Sequence, residues 1–178
     1  KDVNTSSFFI GCGVFVLFAL ILEQLLHSVM LPLVGKSTVM YVIYGILAAG
    51  IFEETGRFTA FKAVMKNRND PKEAVMFGLG HGGAEAILLA GLSLLSTALT
   101  AVMLNNIGFE ELTAMSSGGN AETAELVHSQ LSAVSGLTAV QVVCSLLERI
   151  ISMTFHTAMS VIVFESARVK ERLWLFPV

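Results

Sequence analysis

The chain has 178 residues, 54% of them hydrophobic and only 14% charged, with a mean hydropathy of +0.72. Soluble domains carry about 25% charged residues, so the composition excludes an ordinary soluble domain. The formal charge of −3, with no Lys or Arg between Lys72 and Arg149, leaves no basic patch for a nucleic-acid partner.

In chain order, residues 1–7 are a short polar lead. Asp, Glu, Lys and Arg are absent from 8–22, 38–52, 86–109, 129–147 and 150–164. A membrane-spanning helix needs about 20 mostly apolar residues, whereas barrel strands alternate polar and apolar over about 10. The pattern predicts an all-α, polytopic transmembrane helical bundle: a single domain over 1–178 with four spans at approximately 8–31, 38–64, 74–104 and 133–165. A fifth span is expected to begin near Leu173, as in a fragment of a longer protein. Cys12 and Cys144 lie in apolar runs and read as small packing residues. Glu23 and His27 share a face near the end of the first span and read as interfacial. Pro32, Gly35 and Lys36 make a tight connection.

The second span runs into Lys62, Lys66, Arg68 and Lys72, with Asp70 as a helix N-cap and Pro71 in the first turn that follows. Gly78, Gly80, Gly82 and Gly83 surround His81 on the third helix, a composition that kinks a helix or admits another backbone closely. Residues 105–130, with Glu110, Glu111, Glu122 and Glu125, form an acidic connection with a short helix after Asn120. From Leu131 to Arg168 the pattern is helical without a proline. Basic loops stay on the cytoplasmic side, so 62–72 and 168–172 are expected inside and 105–130 outside. At about 1.5 Å per residue, Glu53/Glu54, His81 and His156 then fall at similar depths in the cytoplasmic half of the membrane.

A charge at bilayer depth costs on the order of 2.5–3.5 kcal/mol, so Glu53, Glu54 and Arg57 at the end of an apolar run need a function or a partner. Arg57 can neutralise one carboxylate and leave the other as a base. Gln141, Ser145, Glu148, Ser152, His156 and Ser160 form one polar stripe, which must face the bundle interior or a wet cavity. Carboxylate and imidazole together suit hydrolysis: a Glu takes a proton from water, and a His orients that water or holds the oxyanion. The same set can hold Zn through His81, His156 and a carboxylate, Glu85 being one turn from His81. Each group also has a structural reading, as an internal ion pair or a hydrogen-bonded packing histidine. A proton- or cation-coupled transporter and a non-enzymatic membrane scaffold or immunity protein are the alternatives.

"EETGR" (Glu53 to Arg57), "FGLGH" (Phe77 to His81) and "HTAMS" (His156 to Ser160) resemble, in order and spacing, the motifs of the CAAX protease and bacteriocin-processing superfamily of intramembrane proteases. The run "GLGHGGAEA" is similar to the YhfC-like branch, with PrsW-like proteins next to it. The resemblance implies peptide-bond hydrolysis by an integral protein of a bacterial cytoplasmic membrane. Its substrate would be membrane-embedded or membrane-proximal. It further implies Glu53 as the base, Glu54 and Arg57 as its support, His81 as a holder of the water and His156 as an aid to the oxyanion. Two residues, rather than the three usual in CAAX enzymes, separate the Glu pair from Arg57, and Ser160 replaces an Asn. A prenylated substrate is therefore not implied.

Overall fold

The computed structural model describes residues 3–168; the expected fifth span, from Leu173, and the end of the basic segment at 170–172 lie outside them. Among the described residues the chain is helical almost throughout, with no strand. The helices are α1 (Ser6–Val34), α2 (Thr38–Val64), α3 (Pro71–Ile107), α4 (Phe109–Ser117), α5 (Ala121–Ser135) and α6 (Ala139–Arg168). Of these, α1, α2, α3 and α6 are long and apolar enough to cross a membrane. The protein is an all-α membrane bundle.

Local chemistry sets the helix starts. The Ser37 hydroxyl accepts from the Met40 N–H (3.4 Å), the Asp70 carboxylate from that of Lys72 (3.0 Å) and the Asn120 side chain from that of Thr123 (3.1 Å). The uninterrupted helix expected from Leu131 to Arg168 breaks between α5 and α6. There Gln141 Oε1 accepts the Thr138 N–H (2.8 Å) and Thr138 Oγ1 accepts the Gln141 N–H (3.3 Å). This Thr-x-x-Gln capping box starts a new helix, so Gln141 is spent on the cap. Three stretches widen to π-helical turns: Phe15–Glu23 in α1, Ala60–Val64 in α2 and Ala86–Gly91 in α3.

The chain forms two compact units, one of residues up to Ala86 with those from Ile151, the other Ile87–Ile150. In the first, glycines bring the helices together. A Cβ on Gly80 would sit 2.0 Å from the Phe8 carbonyl oxygen, and one on Gly11 would sit 2.1 Å from that of Phe77, so α1 and α3 touch backbone to backbone. Gly78 and Gly82 face α6 in the same way, at 2.6 Å from Thr157 Cα and 3.2 Å from Met153 Cα. The glycine run thus serves two neighbours at once, with His81 between them. Below this contact Phe61, Phe77 and Phe164 pack with Met65, Ala74 and Val163 into a closed apolar core.

Polar ties gather one end of this unit. Glu73 accepts the Asn4 N–H (3.2 Å) and the Ser7 hydroxyl, and Arg68 reaches Ser6 (2.7 Å), Ser7 and Glu73 (3.5 Å). Arg168 donates to the carbonyls of Met65 (2.5 Å) and Lys66 (3.1 Å). The start of α1, the α2–α3 turn and the end of α6 therefore lie together. In the second unit, Gly108 (φ +93°) breaks the chain between α3 and α4, and α4 and α5 pack together with Leu112 and Leu131 buried.

Candidate metal centre

On α2, Glu53, Glu54 and Arg57 lie within one turn, and Arg57 is 1% exposed. Its Nη1 pairs with Glu54 Oε1, and its Nη2 lies 2.9 Å from Glu53 Oε2. On α3, His81 is fully buried, placed by the glycine contacts and boxed by Phe15 (ring centroids 5.4 Å) and Phe77 (6.2 Å). Its Nε2 stands 3.3 Å from Glu53 Oε2. On α6, His156 puts Nδ1 3.4 Å from the same Glu53 oxygen, and its ring centroid is 5.2 Å from that of His81. Its far nitrogen, Nε2, pairs with Glu85 Oε2. Glu53 Oε2 is thus the hub on which three helices converge.

The donor atoms of Glu53, His81 and His156 all lie within 4.8 Å of one another. Zinc at about 2.0–2.2 Å from each ligand would set tetrahedral ligand atoms about 3.3–3.5 Å apart. The 3.3 and 3.4 Å separations from Glu53 to the two imidazoles match that spacing. Two His and one carboxylate also form a catalytic zinc set, which leaves a fourth position open. Glu85, which its spacing on α3 offers as a ligand, instead takes the outer position on His156; a carboxylate there holds the ring and its tautomer. Ser152 lies behind it, its Oγ 3.5 Å from Glu85 Oε1.

The site already contains one cation in this space. Arg57 Nη2 is 2.5 Å from His156 Nδ1 as well as 2.9 Å from Glu53, so it touches two of the three donors. A metal ion and Nη2 compete for the same pair of atoms. Glu54 Oε2, Arg57 Nε and His81 Nδ1 are buried without a hydrogen-bond partner among the described residues. Burying such groups unsatisfied is unfavourable, so the arrangement has spare polar capacity.

A cavity of about 370 Å³ opens onto Glu53 and His156 between walls of Ile46, Ala49, Phe155 and Met159. The Ser160 hydroxyl is turned away, donating to the His156 carbonyl (2.7 Å). Glu148 and Arg149 pair with each other (2.7 Å) in the second unit. Glu23, read from the sequence as interfacial, is buried at 7% exposure and contacts His27 (3.4 Å). Its signal was a carboxylate and an imidazole one turn apart inside an apolar run.

These features define a class: polytopic membrane proteins with a buried two-histidine, one-carboxylate centre. The chain belongs to the YhfC intramembrane metalloprotease family, whose model matches residues 1–177. A curated relative, the "Uncharacterized membrane protein YhfC" of Bacillus subtilis (strain 168), is 42% identical over 112 residues, which are 59% of this chain and 43% of that protein. The matched region therefore spans less than half of the relative's length. No solved structure matches the chain.

Proposed function

We propose that the protein is an intramembrane endopeptidase whose centre, Glu53, His81 and His156, holds a divalent metal, with zinc the best fit to the donor set. The observation that carries this reading is the convergence of one donor atom from each of three helices inside a membrane bundle. Bound there, zinc would supply an activated water and polarise the scissile carbonyl.

The chain's own residues do the rest. Glu85 holds the proton of His156 on Nε2, so that Nδ1 presents its lone pair to the centre. His81 directs Nε2 to the same point, and the packing of Phe15 and Phe77 keeps its ring from turning. Arg57 keeps Glu54 neutralised and, with Nη2 withdrawn, remains close enough to stabilise negative charge that develops beside Glu53. The apolar walls of the cavity suit a peptide that arrives from the lipid rather than from water.

A second reading has its own support. Arg57 Nη2 on both Glu53 and His156 is what a metal-free site would use, with Glu53 as base, His81 orienting water and His156 facing the oxyanion. Elemental analysis of the detergent-purified protein, combined with cleavage of a panel of fluorogenic transmembrane peptides, separates the two. The metal reading expects one zinc per chain, lost with cleavage in Glu53→Gln, His81→Ala and His156→Ala while thermal unfolding is retained. Cleavage without metal, abolished by Glu53→Gln, selects the metal-free reading. Cleavage indifferent to all three changes, or pH-driven flux into liposomes without proteolysis, overturns both.

A further inference from the structure

We propose that one face of α2 is the substrate groove of the Glu53–His81–His156 centre. Its far end, a pocket formed by His27, Tyr41 and Tyr44, holds a Trp or Tyr side chain about four residues from the scissile bond. The inference rests on the hydrolytic reading above and adds what that reading leaves open: how the peptide is held and which of its side chains is read.

Val42, Gly45, Ile46, Ala49, Gly50 and Glu53 recur at the three- and four-residue spacing of a single helix face. Two cavities lie along that face. One, of about 370 Å³, reaches Glu53 and His156. The other, of about 300 Å³, is walled by His27 and Leu31 of α1 and by Tyr41, Val42 and Tyr44 of α2. Ile46 is common to both linings, so the two adjoin, and all of these residues belong to the first unit. Gly45 lines one cavity and Gly50 the other, and neither has anything within 4 Å of a would-be Cβ. Gly56 on the same helix is instead pressed against Phe18 and Val14. Glycine weakens a helix interior, and these two gain no packing among the described residues in return. They leave bare backbone where a second chain can lie.

The occupant follows from what the groove leads to. A helical peptide keeps its carbonyls in its own hydrogen bonds, so the stretch to be cut must unwind. Unwound backbone at membrane depth is tolerated only where protein or water surrounds it. At the inner end, Glu54 keeps Oε2 buried without a hydrogen-bond partner among the described residues, which matches the N–H groups that an unwound peptide brings. From Glu53 to Tyr44 is about 14 Å along the helix, the length of about four extended residues. The far pocket has a stated polarity. Glu23 Oε1 lies 3.4 Å from His27 Nε2, and a carboxylate there places the ring proton on that nitrogen. His27 Nδ1 then accepts the Tyr44 hydroxyl at 2.7 Å, and the Tyr44 oxygen keeps its lone pairs for a ligand. Apolar walls with one acceptor suit a flat apolar side chain that carries one donor, which is Trp or Tyr rather than Phe.

The test uses the intact protein in detergent and labelled transmembrane peptides with Trp, Tyr, Phe or Leu placed in turn along both sides of the cleaved bond. Trp and Tyr are expected to lower KM relative to Phe at one position, about four residues away on one side, by about 2–10-fold, the worth of one hydrogen bond. Tyr44→Phe should bring that ratio towards one. Gly45→Leu fills the groove where the chain itself offers no clash. It should raise KM, and the Kd of the Trp peptide read by fluorescence anisotropy, on the order of 10-fold, while the thermal midpoint holds or rises. A wild-type KM in Gly45→Leu means that the face carries lipid or packs against another part of the protein, and a Trp-to-Phe ratio unmoved by Tyr44→Phe removes the pocket; either overturns the proposal while cleavage itself keeps the hydrolytic reading. Peptide binding that Gly45→Leu weakens, in a wild type that cleaves nothing, does the reverse: the groove stands and the hydrolytic reading fails. Neither binding nor cleavage of any peptide overturns both.

Discussion

Arg57 has the heaviest electrostatic duty of any side chain at the centre, since one buried guanidinium faces two carboxylates and an imidazole. Removing one partner of such a group leaves uncompensated buried charge, which is destabilising by about 3–5 kcal/mol. Arg57→Gln is therefore expected to lower the thermal midpoint of the metal-free protein sharply. Added zinc should recover part of the loss by taking the place of Nη2 beside Glu53 and His156; unfolding scans with and without zinc check this. Glu85→Gln acts differently. It loosens the outer partner of His156, and such partners are worth about 10–100-fold in metal affinity, so zinc competition against a chelator should show weaker binding with the fold intact. Glu53, Glu54, Arg57, His81 and His156 were legible as candidates in the sequence because a charge or imidazole at the end of or within an apolar run is costly without a partner, whether that partner is structural or functional. The position of Glu85 was not legible. Its spacing relates it to His81 on its own helix, while its contact is made across to α6, which no single-helix pattern reveals.

At the scale of elements, the contact between α1 and α3 positions His81, and two glycines set it. Gly80→Ala would drive a Cβ against the Phe8 carbonyl, where neither backbone has room to yield. Overpacking of this kind is destabilising by about 1–3 kcal/mol. Gly83, three residues further along the same run, has nothing within 4 Å of its would-be Cβ. There alanine should be neutral or stabilising by about 0.5–1 kcal/mol, since glycine weakens a helix interior. Paired unfolding curves of the two variants would separate close approach from mere flexibility. The glycine run signalled such an approach from the sequence, but which glycine serves which neighbour depends on the phase of α3 between α1 and α6. The break before α6 is the converse case. Thr138 and Gln141 carry a capping signature in plain view, yet the absence of proline and the long apolar run beyond it argued for one continuous helix.

For the molecule as a whole, the four spans were legible because each is a run that water would reject, and large apolar side chains such as Ile46, Val64 and Phe155 remain exposed on the bundle, as lipid allows. The expected orientation is argued from where the charges end up. The polar ties of the first unit bring the start of α1, the α2–α3 turn and the end of α6 to one place. Lys62, Lys66, Arg68, Lys72 and Arg168 all belong to that end. Basic residues close to span ends are retained on the cytoplasmic side, so this end should face the cytoplasm. Counting inward from Lys62 and Lys72 at about 1.5 Å per residue, Glu53 and His81 then lie roughly a dozen ångströms below that surface, within reach of cytoplasmic water and metal. Replacing Cys12 and Cys144 by serine and introducing Asn69→Cys in the α2–α3 turn gives a direct check with a membrane-impermeant thiol reagent. Labelling is expected in inverted membrane vesicles and not in intact cells. The opposite pattern would place the basic turn outside, and with it the mouth of the centre, and would require the metal and the water to enter from the other face.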